Sequence, residues 1–324
     1  MLEQIRPLWD VYLKNKQHGK PLVLATLVKT IGSSYKKAGA MMLIEQDRTT
    51  HGLISGGCLE KDVAEHAMTV FDTGRAISVN YDLSDESIFG LGAGCDGSIK
   101  IVLQVIDGDY LPFSALNPLF EHAVNTGLLI QPDTSTAFPI GSYFVQKSDK
   151  IIESAVGFYA AYQQQADILN YSPPPKIAIC GAGIDASPLI EILQLLQWHV
   201  YLIDHRKGQL KANSQQHHCQ VIEVKMSDLS STLAPYQFDA VVIMTHTLDR
   251  DVAYLKHFSA TDVPWLGLLG PFKRRDKVLQ KAGLNLASIS TRLHAPIGLD
   301  LGGQMPENIA VSIAAQLQQY FYQP

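Results

Sequence analysis

Two cysteines lie in glycine-rich segments where a thiol has room to meet a ligand. Cys58 ends the segment SGGC (55–58), and Cys95 lies within GLGAGCDG (90–97). Glycine permits tight turns and close backbone approach, so its clustering around a thiol indicates a binding loop. We predict that both thiols contact a ligand. The alternative for each is a plain core residue, since cysteine is among the most buried residue types.

The range 55–74 is predicted to be a loop that feeds a helix, and SGGC directly precedes that helix. Free backbone N–H groups at a helix start bind anions such as phosphate, and the same position favours the thiolate form of a cysteine. We therefore predict that Ser55 caps the helix and that this turn presents several free N–H groups to an anion. The glycines predicted to shape the pocket are Gly56, Gly57, Gly94 and Gly97.

A second chemical feature is the segment GAGIDA (181–186), which follows an apolar strand and opens a helix. This context is typical of a dinucleotide-binding turn, in which Gly181 makes the turn and Gly183 admits a pyrophosphate. Asp204 ends the next strand, where an acid binds a ribose hydroxyl. The alternative is a purely structural turn. Asp185 favours that alternative, because its charge repels a pyrophosphate.

The elements that must position these residues fall into two patterns. Residues 1–150 contain an opening amphipathic helix and strands at 22–30, 40–46, 51–55, 76–82, 98–106, 128–131 and 139–147, with a helix near 112–126. Three successive prolines in YSPPPK (171–176) interrupt any helix or central strand and lead us to assign 151–175 as a linker region. Residues 176–324 alternate strands with helices, which predicts a parallel sheet covered by helices on both faces. The predicted fold is α/β: an N-terminal α/β domain with glycine-rich loops and a C-terminal Rossmann-like domain.

Composition narrows the class of protein. A net charge of −5 and an ordinary apolar share of 46% give no reason to expect a nucleic-acid or membrane partner. The N-terminal segment carries charges at helical spacing and does not have the pattern of a signal peptide, so we predict a cytoplasmic location, where disulfides are rare. A homodimer is expected on general grounds only.

Several motifs in order along the chain resemble the XdhC/CoxI family, the accessory factors of xanthine dehydrogenase, carbon monoxide dehydrogenase and related molybdenum hydroxylases. They are TIGSSYKKAGAMML, HGLISGGCLEKDV, FGLGAGCDGSIKIVL, ICGAG, VVIMTH, GLLGPFKRR and RLHAPIGLDLGGQMPENIAVSIAAQL. The resemblance covers nearly the whole chain. It departs at Asp96 and Asp185, which add negative charge near the proposed anion sites, and at Tyr35, Lys36 and Lys37, where proline and arginine are common in the family.

The resemblance implies a chaperone for the molybdenum cofactor, in its molybdopterin or molybdopterin cytosine dinucleotide form. Such a factor protects the cofactor, assists its sulfuration with a cysteine desulfurase and delivers it to the apo-hydroxylase. Cys58 and Cys95 would contact molybdenum or sulfur, since soft thiolates suit both. Gly181, Gly183 and Asp204 would hold a nucleotide-like portion.

Two other functions stay open at this point. One is an NAD(P)-dependent oxidoreductase that uses the Rossmann-like domain, with His246 at the end of FDAVVIMTH (238–246) as the candidate acid or base. The other is a scaffold that contacts the hydroxylase and the desulfurase without binding a pterin.

Overall fold

The computed structural model describes residues 5–83, 97–106, 109–116, 125–135, 137–217 and 219–322. The chain divides into two compact units, Met1–Pro173 and Pro174–Pro324. Within the described ranges, no helix combines the length and the apolar character needed to cross a bilayer.

The first unit is built on a five-stranded antiparallel sheet of order β3-β2-β1-β5-β4. Its strands are β1 Leu22–Gly32, β2 Met41–Ile44, β3 Thr50–Gly52, β4 Ile77–Asp82 and β5 Gly97–Ile106. The central strand β1 is buried along most of its length, as its aliphatic run predicts. Side chains of β1 alternate between two cores, one on each face of the sheet.

One helix covers each face of this sheet. Helix α2, Glu60–Thr73, packs on the face that contains Val23 and Ala25. Helix α1, Arg6–Gln17, packs with Leu22 and Leu24 on the other face. The α2 helix ends at Gly74, which adopts a left-handed conformation as a C-terminal glycine commonly does.

A second, four-stranded antiparallel sheet of order β8-β7-β6-β9 completes the first unit and shares the core of α1. Its strands are β6 Thr126–Ile130, β7 Tyr143–Lys147, β8 Lys150–Glu153 and β9 Leu169–Tyr171, and helix α3, Phe158–Tyr162, lies between β8 and β9. The range 151–175, which we predicted as a linker region, thus contains a strand, a helix and part of another strand of this unit. The reason is β-pairing: β8 bonds β7 and β9 bonds β6. Of the helix predicted near 112–126, residues Phe113–Leu116 form a 3₁₀ turn and 117–124 lie outside the described residues.

The second unit is a six-stranded parallel sheet of order β12-β11-β10-β13-β14-β15. Its strands are β10 Lys176–Cys180, β11 His199–Asp204, β12 Gln220–Glu223, β13 Ala240–Ile243, β14 Leu266–Leu268 and β15 Leu293–His294. This order reverses between β10 and β13, which is the switch point where Rossmann folds bind ligands. The predicted α/β class and the Rossmann-like second domain are confirmed.

Helices cover both faces of the parallel sheet. They are α4 Ala186–Leu195, α5 Lys207–Gln216, α6 Leu229–Leu233, α7 Leu248–Ser259, α8 Phe272–Ala282, α9 Leu286–Ile289 and α10 Pro306–Tyr322, with a 3₁₀ turn at Met226–Asp228. Ile177 and Ile179 pack with α4 and α10 on one face. Ala178 and Cys180 pack with α7 and α8 on the other. Because the six strands are parallel, their carboxyl ends meet at one edge of the sheet.

Candidate functional site

The turn that carries Cys58 is tied together by two buried side chains, Ser55 and Glu60. One oxygen of the Glu60 carboxylate accepts hydrogen bonds from the backbone N–H groups of Ile54 at 3.1 Å and Ser55 at 2.9 Å. The other oxygen accepts from the Ser55 hydroxyl at 2.6 Å. The hydroxyl oxygen of Ser55 in turn accepts from the N–H groups of Gly57 at 3.3 Å, Cys58 at 3.1 Å and Leu59 at 3.0 Å.

This network corrects the expectation that the turn presents several free N–H groups to an anion. Three successive N–H groups are already bonded to Ser55, which acts as an internal acceptor in the turn before α2. The predicted cap by Ser55 is not formed, because the N-cap residue of α2 is Leu59 and the helix has no side-chain cap bond. The acceptor role follows from Glu60, because the Ser55 hydroxyl donates its hydrogen bond to the carboxylate and its oxygen lone pairs stay available to the three N–H donors. The turn is therefore preformed without a ligand.

Glu60 holds its charge in this buried place. Burial raises the pKa of Glu60, but hydrogen bonds from the Ser55 hydroxyl and from the Ser55 and Ile54 amides outweigh it and bring the pKa below its usual value. Because the Glu60 carboxylate is charged, each hydrogen bond that it accepts is stronger than a bond to a neutral acceptor.

Replacing Glu60 with glutamine is expected to destabilise the first unit by about 1.5–3 kcal/mol, because a neutral amide accepts with only one of its two ends. Urea unfolding of the full chain measures this loss. The matched control is Glu65→Gln on the same helix, where the carboxylate forms an exposed pair with Arg48 at 3.0 Å. That change is expected to cost less than about 1 kcal/mol. Equal losses for the two variants would show that the Ser55–Glu60 network does not stabilise the turn.

The thiol of Cys58 is exposed at the surface of this turn, as are Gly56 and Gly57. The ring of Tyr35 lies alongside Gly56, 3.8 Å from the position of an added Cβ, and is itself 69% exposed. Its neighbour Lys36 places its ammonium group 5.8 Å from the centre of that ring. A preformed turn thus presents an accessible thiol, and an exposed aromatic ring lies alongside Gly56 of the same turn.

Gly97, the last residue of the second glycine loop, starts β5 and lies tightly against the end of β1. An added Cβ would stand 2.5 Å from the Ile31 carbonyl oxygen and 2.6 Å from that of Ser33. Gly97 is therefore needed for close backbone approach. Cys95 and Gly94 lie outside the described residues, so their predicted contact with a ligand stays a prediction.

Cys180 differs from Cys58 in its surroundings. It is fully buried in the parallel sheet, and burial raises the pKa of its thiol well above the usual value, with Asp251 and Asp204 adding to the shift. The thiol is therefore a core residue. In the described ranges, no group of three or more His, Cys, Asp and Glu side chains has the arrangement of a metal site.

In the second unit, the glycine turn after β10 packs directly on the loop after β13. Gly181 has φ +121°, and an added Cβ would stand 2.6 Å from the carbonyl oxygen of Met244 and 2.9 Å from the Cα of Thr245. Two loops at the switch point of the sheet are thus in backbone contact. This contact requires a residue without a side chain at Gly181, as in a dinucleotide-binding turn.

The carboxylate of Asp204 is buried and fixes the glycine turn from the neighbouring strand. It accepts from the Ala182 N–H at 2.7 Å and from the Arg206 backbone N–H at 2.8 Å. The Arg206 guanidinium adds bonds at 3.0 and 2.8 Å, and His205 Nδ1 lies 2.9 Å away. Both carboxylate oxygens are therefore engaged within the unit, and contact with a ribose stays a prediction.

The charge of Asp204 is expected to make the stability of the second unit depend on pH in acid. Burial raises the pKa of Asp204, but the Arg206 side chain and the Ala182 and Arg206 amides lower it to about 2, from a usual value of 3.8. Because the folded-state pKa is depressed, the stabilisation is present above pH 3.8 and is lost as the pH falls through about 2. This amounts to about 2 kcal/mol. Urea unfolding of the parent and Asp204→Asn should differ most near neutral pH and converge in acid. A difference that does not change with pH would contradict this assignment.

His246 follows β13 and reaches back across the glycine turn. Its Nε2 atom lies 2.7 Å from the Oδ2 atom of Asp185, and its ring is 3.7 Å from the position of a Cβ added at Gly183. Its φ is +59°, a left-handed conformation that is uncommon for a residue with a side chain. The sequence singled out both residues separately, but only the fold brings them together.

A second polar network at this edge was missed by sequence reasoning. The buried Asp251 on α7 accepts from the Thr245 N–H at 3.2 Å and the Thr245 hydroxyl at 2.5 Å. Its other oxygen accepts from the Arg274 guanidinium on α8 at 3.0 and 2.6 Å. The GLLGPFKRR motif contains Arg274, but nothing in the motif indicates that Asp251 is the partner of this arginine. Asp251 thus joins the loop after β13 to the first turn of α8.

Comparison with known families gives two matches. The model of the XdhC and CoxI family matches residues 16–82, which include the Cys58 turn. The model of the XdhC Rossmann domain matches residues 177–317, which include the glycine turn, His246 and Arg274. Together the two matches cover more than half of the chain and one lies in each structural unit.

Individual relatives align over almost the whole length. A probable xanthine dehydrogenase subunit of Bacillus subtilis is 26% identical over 96% of this chain and 95% of its own. The molybdenum cofactor insertion chaperone PaoD of Escherichia coli is 21% identical over 92% of this chain and 83% of its own. A crystal structure described as a xanthine dehydrogenase from Bacillus halodurans has a TM-score of 0.81 at 29% identity, covering 96% of this chain and 95% of that one. The chain belongs to the XdhC and CoxI family, and its second unit is an XdhC Rossmann domain.

Proposed function

We propose that this protein is a molybdenum cofactor chaperone, which binds the cofactor, protects it, assists its sulfuration and inserts it into an apo molybdenum hydroxylase of the xanthine dehydrogenase type. The observation that carries the proposal is the exposed Cys58 thiol on a preformed turn, within the region that matches the XdhC and CoxI family. Near full-length similarity to a molybdenum cofactor insertion chaperone supports the same role.

The Cys58 turn has the properties that a transfer site needs. Its shape is set by Ser55 and Glu60, so little ordering is required when a ligand arrives. A thiolate is a soft ligand for molybdenum and also carries sulfur as a persulfide. Cys58 would therefore contact the metal or accept sulfur from a cysteine desulfurase. Cys95 is proposed as a second thiol at the cofactor, with Gly56, Gly57, Gly94 and Gly97 shaping the loops.

The Rossmann unit is proposed to hold the nucleotide-like or pterin portion of the cofactor. Gly181 and Gly183 form the turn, and Asp204 fixes it through the Ala182 N–H. Asp204 also orients the Arg206 guanidinium, which is 42% exposed and offers a cation to a phosphate at the position where Rossmann folds accommodate one.

The test is a binding and transfer experiment with purified protein. Molybdopterin and its cytosine dinucleotide are titrated in turn, and bound pterin is followed by the fluorescence of its oxidised form. The loaded protein is then mixed with an apo-hydroxylase, whose recovered activity reports insertion. Cys58→Ala is expected to lower insertion of sulfurated cofactor by about tenfold or more, because removing a metal or sulfur contact leaves the cofactor exchangeable.

Cys219→Ala is the matched control, since this thiol is partly buried in the second unit and has no proposed contact. If the Cys58→Ala variant inserts cofactor as well as the parent, the proposed contact of the Cys58 thiol with molybdenum or sulfur is wrong. Absence of pterin binding, together with NADH binding and turnover, would favour the oxidoreductase instead.

A further inference from the structure

The Asp185–His246 pair lies where a Rossmann turn ordinarily receives a pyrophosphate. Asp185 is the N-cap residue of α4, yet its side chain makes no cap hydrogen bond and turns instead to the imidazole of His246. The pair spans the glycine turn after β10 and the loop after β13, at the switch point of the sheet. A carboxylate thus lies at the turn that ordinarily receives an anionic ligand group.

Two contacts of an ordinary dinucleotide site are therefore altered together. A pyrophosphate at this turn would meet the charge of Asp185, and like charges at short range repel strongly where water is partly excluded. The acid that would bind ribose, Asp204, already accepts from Ala182 and Arg206 through both oxygens. Both observations count against NAD(P) bound in the ordinary manner.

The same geometry favours a ligand that donates hydrogen bonds. The Asp185 side chain is only 17% exposed, and its Oδ2 atom is bonded to His246. Its Oδ1 atom has no hydrogen-bond donor among the residues that the structure describes, so a partly buried carboxylate retains accepting capacity. Because an ionised carboxylate only accepts, the group that satisfies it must carry N–H or O–H.

Apolar and aromatic surface flanks the carboxylate. Ile184, next in the turn, is 84% exposed, and the His246 imidazole is 56% exposed. A flat heterocycle that packs against these groups would direct its N–H edge at Asp185. Within the proposed cofactor, the pterin ring has such an edge: a ring N–H beside an exocyclic amino group.

We propose that Asp185, positioned by His246, recognises the N–H edge of the pterin ring and excludes a dinucleotide pyrophosphate from this turn. The choice of a pterin rests on the proposed function. The exclusion of pyrophosphate and the demand for N–H donors rest on the Asp185 geometry alone. Asp185 is thereby a specificity-determining residue of the Rossmann unit.

The experiment uses the full chain with two probes, pterin itself, followed by its fluorescence, and NADH. The parent is expected to bind pterin saturably. Asp185→Asn keeps the shape and replaces one acceptor with an N–H₂ donor, so pterin binding should weaken about 10- to 100-fold. NADH binding should stay undetectable or rise, since the variant removes a repelling charge. Asp249→Asn, an exposed acid of α7, is the control and should change neither.

Folding of each variant is checked by its urea unfolding midpoint. If Asp185→Asn does not fold, Asp185→Ala repeats the titration, since the helix receives no side-chain cap from Asp185. The inference is overturned if the parent binds no pterin, if the Asp185 variant binds pterin as the parent does, or if the parent binds NADH with an affinity that Asp185→Asn does not raise. If the parent and the Asp185→Asn variant bind molybdopterin equally well, the chaperone role is retained and only the assignment of Asp185 is wrong. Pterin binding that depends on Asp185, without cofactor insertion, would support the Asp185 assignment and contradict the chaperone role.

Discussion

Replacing Arg274 with alanine is expected to destabilise the second unit by about 3–5 kcal/mol. The change leaves Asp251, only 1% exposed, with its charge and without the guanidinium that compensates it. Thr245 still donates to one carboxylate oxygen, but the other loses both of its donors. Urea unfolding followed by tryptophan fluorescence measures the loss, because Trp198 and Trp265 are buried in this unit.

The structure provides a matched control for Arg274 on the same two helices. Lys281 on α8 bonds Asp249 on α7 at 2.9 Å, but both side chains are more than half exposed. Lys281→Ala is expected to cost less than about 1 kcal/mol, because exposed pairs contribute little. The double variant Asp251→Ala/Arg274→Ala should lose less than the sum of the single losses, since no charge stays buried. Similar costs for Arg274→Ala and Lys281→Ala would mean that Asp251 finds water or another donor.

Replacing Gly181 with alanine is expected to cost the second unit about 3–5 kcal/mol, the second large effect. A φ of +121° is accessible to glycine and strained for any residue with a side chain. The new methyl group would also stand 2.6 Å from the Met244 carbonyl oxygen, and backbone atoms cannot move aside as a flexible side chain can. The β10 and β13 loops would have to separate, which also breaks the approach of His246 to Asp185.

Two other glycines of the unit serve as controls for Gly181. Gly208 lies in α5 with nothing within 4 Å of an added Cβ, so Gly208→Ala is expected to be neutral or to stabilise by up to about 1 kcal/mol. Gly183 has only the His246 ring at ordinary contact distance, so Gly183→Ala should cost less than Gly181→Ala. The measurement is again urea unfolding, with hydrogen exchange of β10 and β13 to locate the change. A Gly181→Ala loss no greater than that of Gly183→Ala would show that the two loops are not held in contact.

The sequence predicted the main elements because their signals are local. The apolar run of β1, the alternation of strands and helices after residue 176, and the glycine turn at 181–183 each depend on spacing within a short window. Two short edge strands, β8 and β9, were not predicted, and they lie almost entirely in the range that we assigned as a linker region. Strands β8 and β9 have three or four residues each, and they are stabilised by pairing with β7 and β6 rather than by their own pattern.

The polar residues were harder to interpret than the strands. The sequence pointed to Ser55 as a cap, but the N-cap residue of α2 is Leu59 and the helix has no side-chain cap bond. Ser55 instead accepts from amides of the preceding turn and donates its hydroxyl to Glu60. Asp204 was predicted to bind a ribose, and in the folded chain its carboxylate faces Ala182 and Arg206. In both cases the sequence identified a polar residue that matters to the turn, but it did not reveal which groups that residue bonds.

The amino-acid sequence by itself determined the family, the Rossmann architecture of the second unit and the glycines that its turns require, because these follow from residue order and backbone conformation. Only the tertiary structure decided which polar groups meet. Asp185 and His246 follow different strands, and Asp251 and Arg274 lie on different helices, α7 and α8. Each pair forms because parallel strands bring their carboxyl ends to one edge. A hydrogen bond between distant residues depends on where two segments cross, and no spacing along the sequence encodes that crossing.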